Sequence, residues 1–206
     1  DELEGAEDFD NALHELIKRT IKDHKRIIFS GNGYDDDWIC EAEKRGLLNL
    51  RTTPDCLPCY ISEKNINLFT SHKVFTEAEM HARYEIHLES YIKTINIEVR
   101  TMLDMARKDI LPAAAAFTKT LSESVIAKKA AVDGMECKYE QEQIKKLSAL
   151  TDNLYAAVEA LDGALSGAAN YSNEQELADY YKDTILTLMD NVRRYADETE
   201  TRVDRK

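Results

Sequence analysis

Hydrophobic residues along this chain recur mostly at spacings of three and four, the period of an amphipathic helix, and they predict helices over most of its length. Phe9, Leu13, Leu16, Ile17 and Ile21 mark a first helix to about His24. Arg26-Ile27-Ile28-Phe29 is a short apolar run that stops at Ser30-Gly31-Asn32-Gly33, the pattern of an extended segment before a tight turn. Asp35, Asp36 and Asp37 can cap and charge the start of a second helix carrying Trp38, Ile39 and Ala42, with Gly46 ending it. Pro54 and Pro58 break up residues 47–61, which read as a loop with at most one helical turn. Ser62 then starts a short helix bearing Ile66, Leu68 and Phe69.

The sharpest local signal comes next. Thr76 and Glu79 have the spacing of a capping box, and Phe75 with Met80 that of a hydrophobic staple, so a long helix is expected to begin there. Its stripe is Met80, Tyr84, Leu88, Tyr91, Ile92, Ile95, Met102, Met105, Ala106 and Ile110, reaching on the order of 50 Å at about 1.5 Å per residue before Pro112, where a kink is expected. Helical spacing resumes through Phe117, Leu121, Val125 and Ile126 to Asp133-Gly134. A near-heptad run from Tyr139 through Leu147, Leu154 and Leu161 stops at the small residues from Ser166 to Asn170. Ser172 and Gln175 suggest a second capping box ahead of a last helix carrying Leu177, Tyr181, Ile185, Leu188, Val192, Tyr195 and Thr199. Connections this short force antiparallel neighbours. The expected fold is all-α: residues 76–206 form a helical hairpin or bundle, and residues 1–75 a smaller part of short helices and loops with room for one short strand. The tyrosines at 84, 91, 181 and 195 fall on the apolar stripes and read as core.

Composition narrows the function classes. Seven glycines and three prolines in 206 residues suit long helices better than a turn-rich sandwich or barrel. The net charge of −12, with no local basic stripe, argues against nucleic acid as a partner. No apolar run approaches the roughly 20 residues that span a bilayer. Four irregularly spaced cysteines, at 40, 56, 59 and 137, do not make a disulfide framework, which favours a reducing, cytoplasmic compartment and leaves the Asn170-Tyr171-Ser172 sequon without consequence. The acidic opening of Asp1, Glu2, Glu4, Glu7, Asp8 and Asp10 complements the positive end of the first helix. A start at Asp1 rather than Met reads as a piece of something longer.

The candidate chemistry motifs are each incomplete. Cys56-Leu57-Pro58-Cys59 is a CxxC, but it lacks a strand-rich surround for redox work and a second ligand pair for zinc, since Cys40, His72 and Cys137 are scattered. Gly31-Asn32-Gly33 is followed by three aspartates where a phosphate loop needs a lysine, so it reads as a capped turn, with a divalent cation at Asp35 to Asp37 as the weaker alternative. His14-Glu15 opens like a zinc-protease motif but has Lys at position 18. Glu77, His81 and Glu85 share one helical face at a spacing adequate for a metal, though an exposed polar face is the simpler reading. No catalytic, cofactor-binding or metal residue is assigned.

A resemblance supplies what the motifs do not. Arg26-Ile27-Ile28-Phe29-Ser30-Gly31-Asn32-Gly33-Tyr34, Trp38, Glu41-Ala42-Glu43-Lys44-Arg45-Gly46-Leu47, Thr52-Thr53-Pro54-Asp55, Phe75-Thr76-Glu77-Ala78-Glu79, Arg83-Tyr84-Glu85-Ile86 and Tyr91-Ile92-Lys93-Thr94-Ile95-Asn96-Ile97-Glu98 are together similar to the C-terminal region of type III glutamine synthetases, the large bacterial form. The likeness is specific to about Leu111 and compositional beyond. It implies a parent enzyme of nitrogen metabolism that joins ammonia to glutamate using ATP and a divalent metal, Mg or Mn, and assembles as a large homo-oligomer. It places the catalytic groups in upstream domains, so this region is expected to be a non-catalytic structural and oligomerisation part, with the upstream catalytic domain and other subunits as partners. Cys56 and Cys59 stand where small apolar residues are expected, and the chain stops before a Leu-Trp-Pro-Leu type of tail, so both ends look trimmed. Two other readings stay open: an autonomous interaction module using residues 136–203, and a small metalloenzyme using the Glu77, His81 and Glu85 face.

Overall fold

The computed structural model describes residues 3–203, so Asp1 and Glu2 of the acidic opening lie outside the described residues. All regular elements among the described residues are helical, and they fall into two compact units that divide between Arg51 and Thr52.

The first unit holds α1 (Phe9–Asp23), a 3-10 turn (Lys25–Ile27) and α2 (Asp36–Lys44). Asp8 caps α1, its carboxylate accepting from the Asn11 amide at 3.1 Å. The apolar run at 26–29 does not form a strand: it coils into the 3-10 turn as far as Ile27, and Ile28 is extended. With no second strand among the described residues to pair with, the Ile28 carbonyl accepts instead from the Arg45 guanidinium at 2.8 Å. The same guanidinium lies 5.9 Å from the Phe29 ring and 5.8 Å from the Trp38 ring, which stack with centroids 4.2 Å apart. Gly31 is needed beneath this stack, because a Cβ there would meet the Phe29 ring at 2.6 Å. Gly46, at φ +69°, ends α2: its N–H donates to the Glu43 carbonyl and that of Leu47 to the Ala42 carbonyl, the two bonds of a Schellman cap.

The second unit begins with α3 (Thr53–Tyr60) and α4 (Glu63–Ser71), so these two, grouped by sequence with residues 1–75, pack with the long helices. The loop expected over 47–61 is therefore in large part a helix. Pro54 sits in its first turn, where a missing N–H costs nothing, and the Thr52 hydroxyl accepts from the Asp55 amide. Pro58 removes the N–H that would bond the Pro54 carbonyl four residues back, and the side-chain amide of Gln175 donates to that carbonyl instead at 3.1 Å. A distant residue thus completes a helix that local sequence reasoning breaks.

After the Thr76–Glu79 capping box, with both reciprocal bonds in place, α5 (Glu77–Met105) leads through a π turn (Ala106–Ile110) into α6 (Leu111–Ala131). The helix continues past Pro112; the departure from α geometry lies just before it, where the Leu111 N–H reaches back to the Ala106 carbonyl. α7 (Lys138–Gly167) follows, then a 3-10 turn (Ala168–Asn170), α8 (Glu174–Tyr180), a second π turn (Tyr181–Ile185) and α9 (Leu186–Val203). The expected Ser172–Gln175 box does not form. Asn173 caps α8 by accepting from the Glu176 amide at 3.0 Å, and Gln175 is engaged with α3 and α5.

α6, α7 and α9 form a three-helix bundle, while α5 packs on α3, α4 and α8. The main core of the unit joins Ile95, Val99 and Leu103 of α5 and Ala106 of the first π turn to Leu154, Val158 and Leu161 of α7, to Tyr181 and Ile185 of the second π turn, and to Met189, Val192 and Ala196 of α9. Burying a Val or Leu side chain contributes about 1.5–3 kcal/mol, so this one cluster dominates the unit's stability. Leu57, Leu88 and Ala178 form a second cluster where α3, α5 and α8 meet. The long stripe from Met80 is mostly covered within its own unit: Met80, Leu88, Ile95 and Ala106 are buried, and Met105 alone of its members is more than half exposed, at 52%. At the α6–α7 connection Glu140 is buried and pairs with Lys128, whose hydrogen bond holds the Glu140 carboxyl below its ordinary value.

Candidate functional site

The described polar side chains converge most densely where α3, α5 and α8 meet. Lys182 places its ammonium 2.7 Å from Asp55, 3.1 Å from Asp179 and 3.7 Å from Asp183. Those carboxylates raise the Lys182 pKa, the Asp55 hydrogen bond most, and the Lys182 hydrogen bond in turn lowers that of Asp55. Beside them Gln175 donates to the Pro54 carbonyl and to Asp179, while its amide oxygen accepts from the Tyr84 hydroxyl at 2.7 Å. Tyr84 is shifted up in pKa, by burial first and then by Asp179 and Glu174. The Tyr91 hydroxyl is buried with no hydrogen-bond partner among the described residues, and burial likewise raises its pKa. Every charged member of this junction faces an opposite charge, and the geometry locks three helices together.

A second polar set lies beside the π turns. Arg107, in the first of them, donates one nitrogen to Glu159 at 2.9 Å and to Asp162 at 2.7 Å, tying the long helix to α7. Arg100 donates to Asn96, whose amide donates to the hydroxyl of buried Tyr181, the first residue of the second π turn. The Tyr180 hydroxyl donates to the Ala164 carbonyl near the end of α7, and its ring stacks on Tyr171 with centroids 4.8 Å apart.

The motifs singled out by sequence are placed apart from these sets. Cys56 and Cys59 lie on α3 as free thiols, Cys56 exposed and donating weakly to the Thr53 carbonyl. Glu77, His81 and Glu85 all point to solvent. Among the described residues no three His, Cys, Asp or Glu side chains come together as a metal-binding group. Asp35 adopts the N-cap position of α2 without a side-chain capping bond, and the Asn32 side chain turns back to accept from the Tyr34 amide at 3.1 Å, leaving Tyr34 99% exposed. His14 and Glu15 are exposed on α1, and Glu15 pairs with Lys18. Among the described residues no helix is long and apolar enough to cross a membrane.

Lys182 and Arg107 carry no site signal in the sequence, while Gln175 enters it only as half of a capping box and Asp55 only within a family-like stretch. Pro58 carried a usable signal, since a proline inside a helix orphans the carbonyl four residues earlier and calls for a donor from elsewhere. Lys182 with Asp179 has helical i,i+3 spacing, but Asp55 lies 127 residues away and nothing local announces it.

Comparison with known proteins identifies the type of domain. Residues 12–129 match the family described as glutamine synthetase C-terminal domain. The chain is 41% identical over 202 residues to a glutamine synthetase of Butyrivibrio fibrisolvens, a match covering 98% of this chain and 29% of that protein. It is 32% identical over 199 residues to a type-3 glutamine synthetase of Dictyostelium discoideum, covering 95% of this chain and 27% of the relative. A Bacteroides fragilis glutamine synthetase is 28% identical over 201 residues, again across 27% of its length. The chain thus spans well under a third of the curated relatives it matches.

Proposed function

The chain belongs to the glutamine synthetase C-terminal domain family, and from that premise we propose that it is a structural and assembly region of a glutamine synthetase acting in the cytoplasm. The parent reaction is the ATP-dependent ligation of ammonia to glutamate, with ATP and Mg or Mn bound by parts of the polypeptide outside these 206 residues. The donor set for such a metal is not assembled among the described residues. Partners are the catalytic domain and further subunits of a homo-oligomer.

The family match over 12–129 carries this reading. It is supported by the use the fold makes of its polar side chains: Gln175, Lys182 and Arg107 each join one helix to another. The test is a full-length glutamine synthetase polypeptide containing this region, compared with one from which the region is deleted. The full-length form is expected to release glutamine and phosphate from glutamate, ammonia and ATP and to sediment as an oligomer. The deletion is expected to lose assembly, and activity with it. A deletion that stays fully assembled and active overturns the proposal.

A further inference from the structure

We propose that Cys56 and Cys59 of α3 form a reversible intramolecular disulfide, made by exchange with a low-molecular-weight disulfide such as oxidised glutathione, and that closing it loosens the hold of α3 on α5 and the second π turn. The pair lacks the surround of a dithiol oxidoreductase, so the inference concerns the redox state of the chain itself and goes beyond the functional reading above.

Three observations carry it. Both cysteines are free thiols three residues apart on one helix, so they share a face. At a rise of about 1.5 Å per residue and a radius of about 2.3 Å their Cα atoms lie roughly 5 Å apart, inside the span of about 4.4–6.8 Å that a disulfide bridges. Their Cβ atoms, about 5–6 Å apart on a regular helix, must come to about 3.5–4.5 Å, so the turn has to tighten. Next, the backbone there offers little resistance. Pro58 stands between the two cysteines without an N–H, so the helical bond to the Pro54 carbonyl is already absent and Gln175 holds that carbonyl at 3.1 Å instead. Cys59 is one residue from the end of α3, and its carbonyl accepts from the Asn65 side chain at 2.7 Å and the Ser62 amide at 3.2 Å rather than from a further helical turn. Finally, the two thiols differ in access. Cys56 is exposed, with a weak bond to the Thr53 carbonyl at 3.4 Å, whereas Cys59 is half-buried.

That difference orders the exchange. The Cys56 thiolate attacks one sulfur of the small disulfide and expels the first small thiolate, leaving a mixed disulfide on Cys56. The Cys59 thiolate then attacks the Cys56 sulfur and expels the second. Both cysteine protons end on the two released thiols; the cysteine pair is oxidised by two electrons and the small disulfide reduced by two. In a reducing compartment such a bridge is transient, the form that redox sensing takes. The turn that tightens also carries the contacts of α3. Leu57, between the cysteines, is buried with Leu88 and Ala178, and Asp55, beside Cys56, holds Lys182 at 2.7 Å. Drawing Cys59 toward Cys56 shifts both against their partners.

The test exposes the native 206-residue chain to oxidised glutathione, alkylates the remaining thiols and maps the peptides by mass spectrometry. The peptide holding both cysteines is expected to lose two hydrogens and carry no glutathione, and dithiothreitol is expected to restore it. Cys59→Ser, which lacks the second thiol, is expected to keep a glutathione adduct on Cys56, while in Cys56→Ser the half-buried Cys59 is modified at least about fivefold more slowly. Hydrogen exchange of the oxidised wild-type chain is expected to show α3 amides exchanging at least about threefold faster, with α7 unchanged. An unmodified pair, a lasting adduct on wild-type Cys56, or pairing of either cysteine with Cys40 or Cys137 overturns the site. A bridge that forms while α3 exchanges as before overturns the loosening. Glutamine formation enters neither readout, so these failures leave the functional reading standing.

Discussion

The two compact units are built from similar amphipathic helices and reach opposite outcomes. In the second, Val99, Leu154, Val158, Leu161 and Ile185 are wholly buried, each seated between two or more long helices. In the first, α1 has as regular a stripe, but Phe9, Ile17 and Ile21 stay exposed, Leu13 and Leu16 are only half-buried, and the unit is held by local devices: the Arg45 bond to Ile28, the Phe29–Trp38 stack and the Gly46 cap. The difference teaches that periodicity declares which face of a helix wants cover and is silent on what covers it. Length decides much of this: α7, with 30 residues, presents four heptads to its neighbours, whereas the 15 residues of α1 present two.

Substitutions test that contrast in descending order of effect. Leu154→Ala, in the bundle core, is expected to cost about 3 kcal/mol and lower the melting temperature by roughly 10 °C in calorimetry. Gln175→Leu leaves the Pro54 carbonyl without its donor and the Tyr84 hydroxyl without its acceptor, for about 1–2 kcal/mol by urea denaturation. Restoring a backbone N–H with Pro58→Ala is expected to shrink that cost, so the double substitution should be measurably less than additive.

Acid probes the same junction. Asp55 has a folded pKa below its ordinary 3.8, chiefly through the Lys182 hydrogen bond. Its stabilisation is therefore complete above the unfolded value and lost as pH falls through the lowered folded one. The urea midpoint of the wild-type chain should fall across that acid range, and Asp55→Asn should flatten this part of the profile; an unchanged slope would remove Asp55 from the account. The smallest effect belongs to the first unit. Ile17→Asp in the 206-residue chain is expected to change stability by no more than about 0.5 kcal/mol, because the side chain it replaces is already 50% exposed.

Much of this architecture was legible from the residues. Thr76 and Glu79 announce the start of α5 because their capping box is complete within four residues, and the heptads of α7 announce a bundle. What was hidden depends on distant partners. Two prolines argue against α3, and its Pro54 carbonyl is satisfied by Gln175, 121 residues away. Gln175 looked like half of a capping box because its spacing from Ser172 fits, while its bonds to other helices run to Tyr84 and the Pro54 carbonyl. The apolar run at 26–29 has strand composition but no strand to pair with among the described residues, so it coils. The Lys182 junction was invisible because its members come from two ends of the second unit.

The sharpest test is native-state hydrogen exchange along the 206-residue chain itself. The contrast predicts that amides of α5, α7 and α9 exchange only through global unfolding, with α1 exchanging orders of magnitude faster and at a rate insensitive to Leu154→Ala. Protection of α1 equal to that of α7, falling in step with it when Leu154 is truncated, would contradict the account.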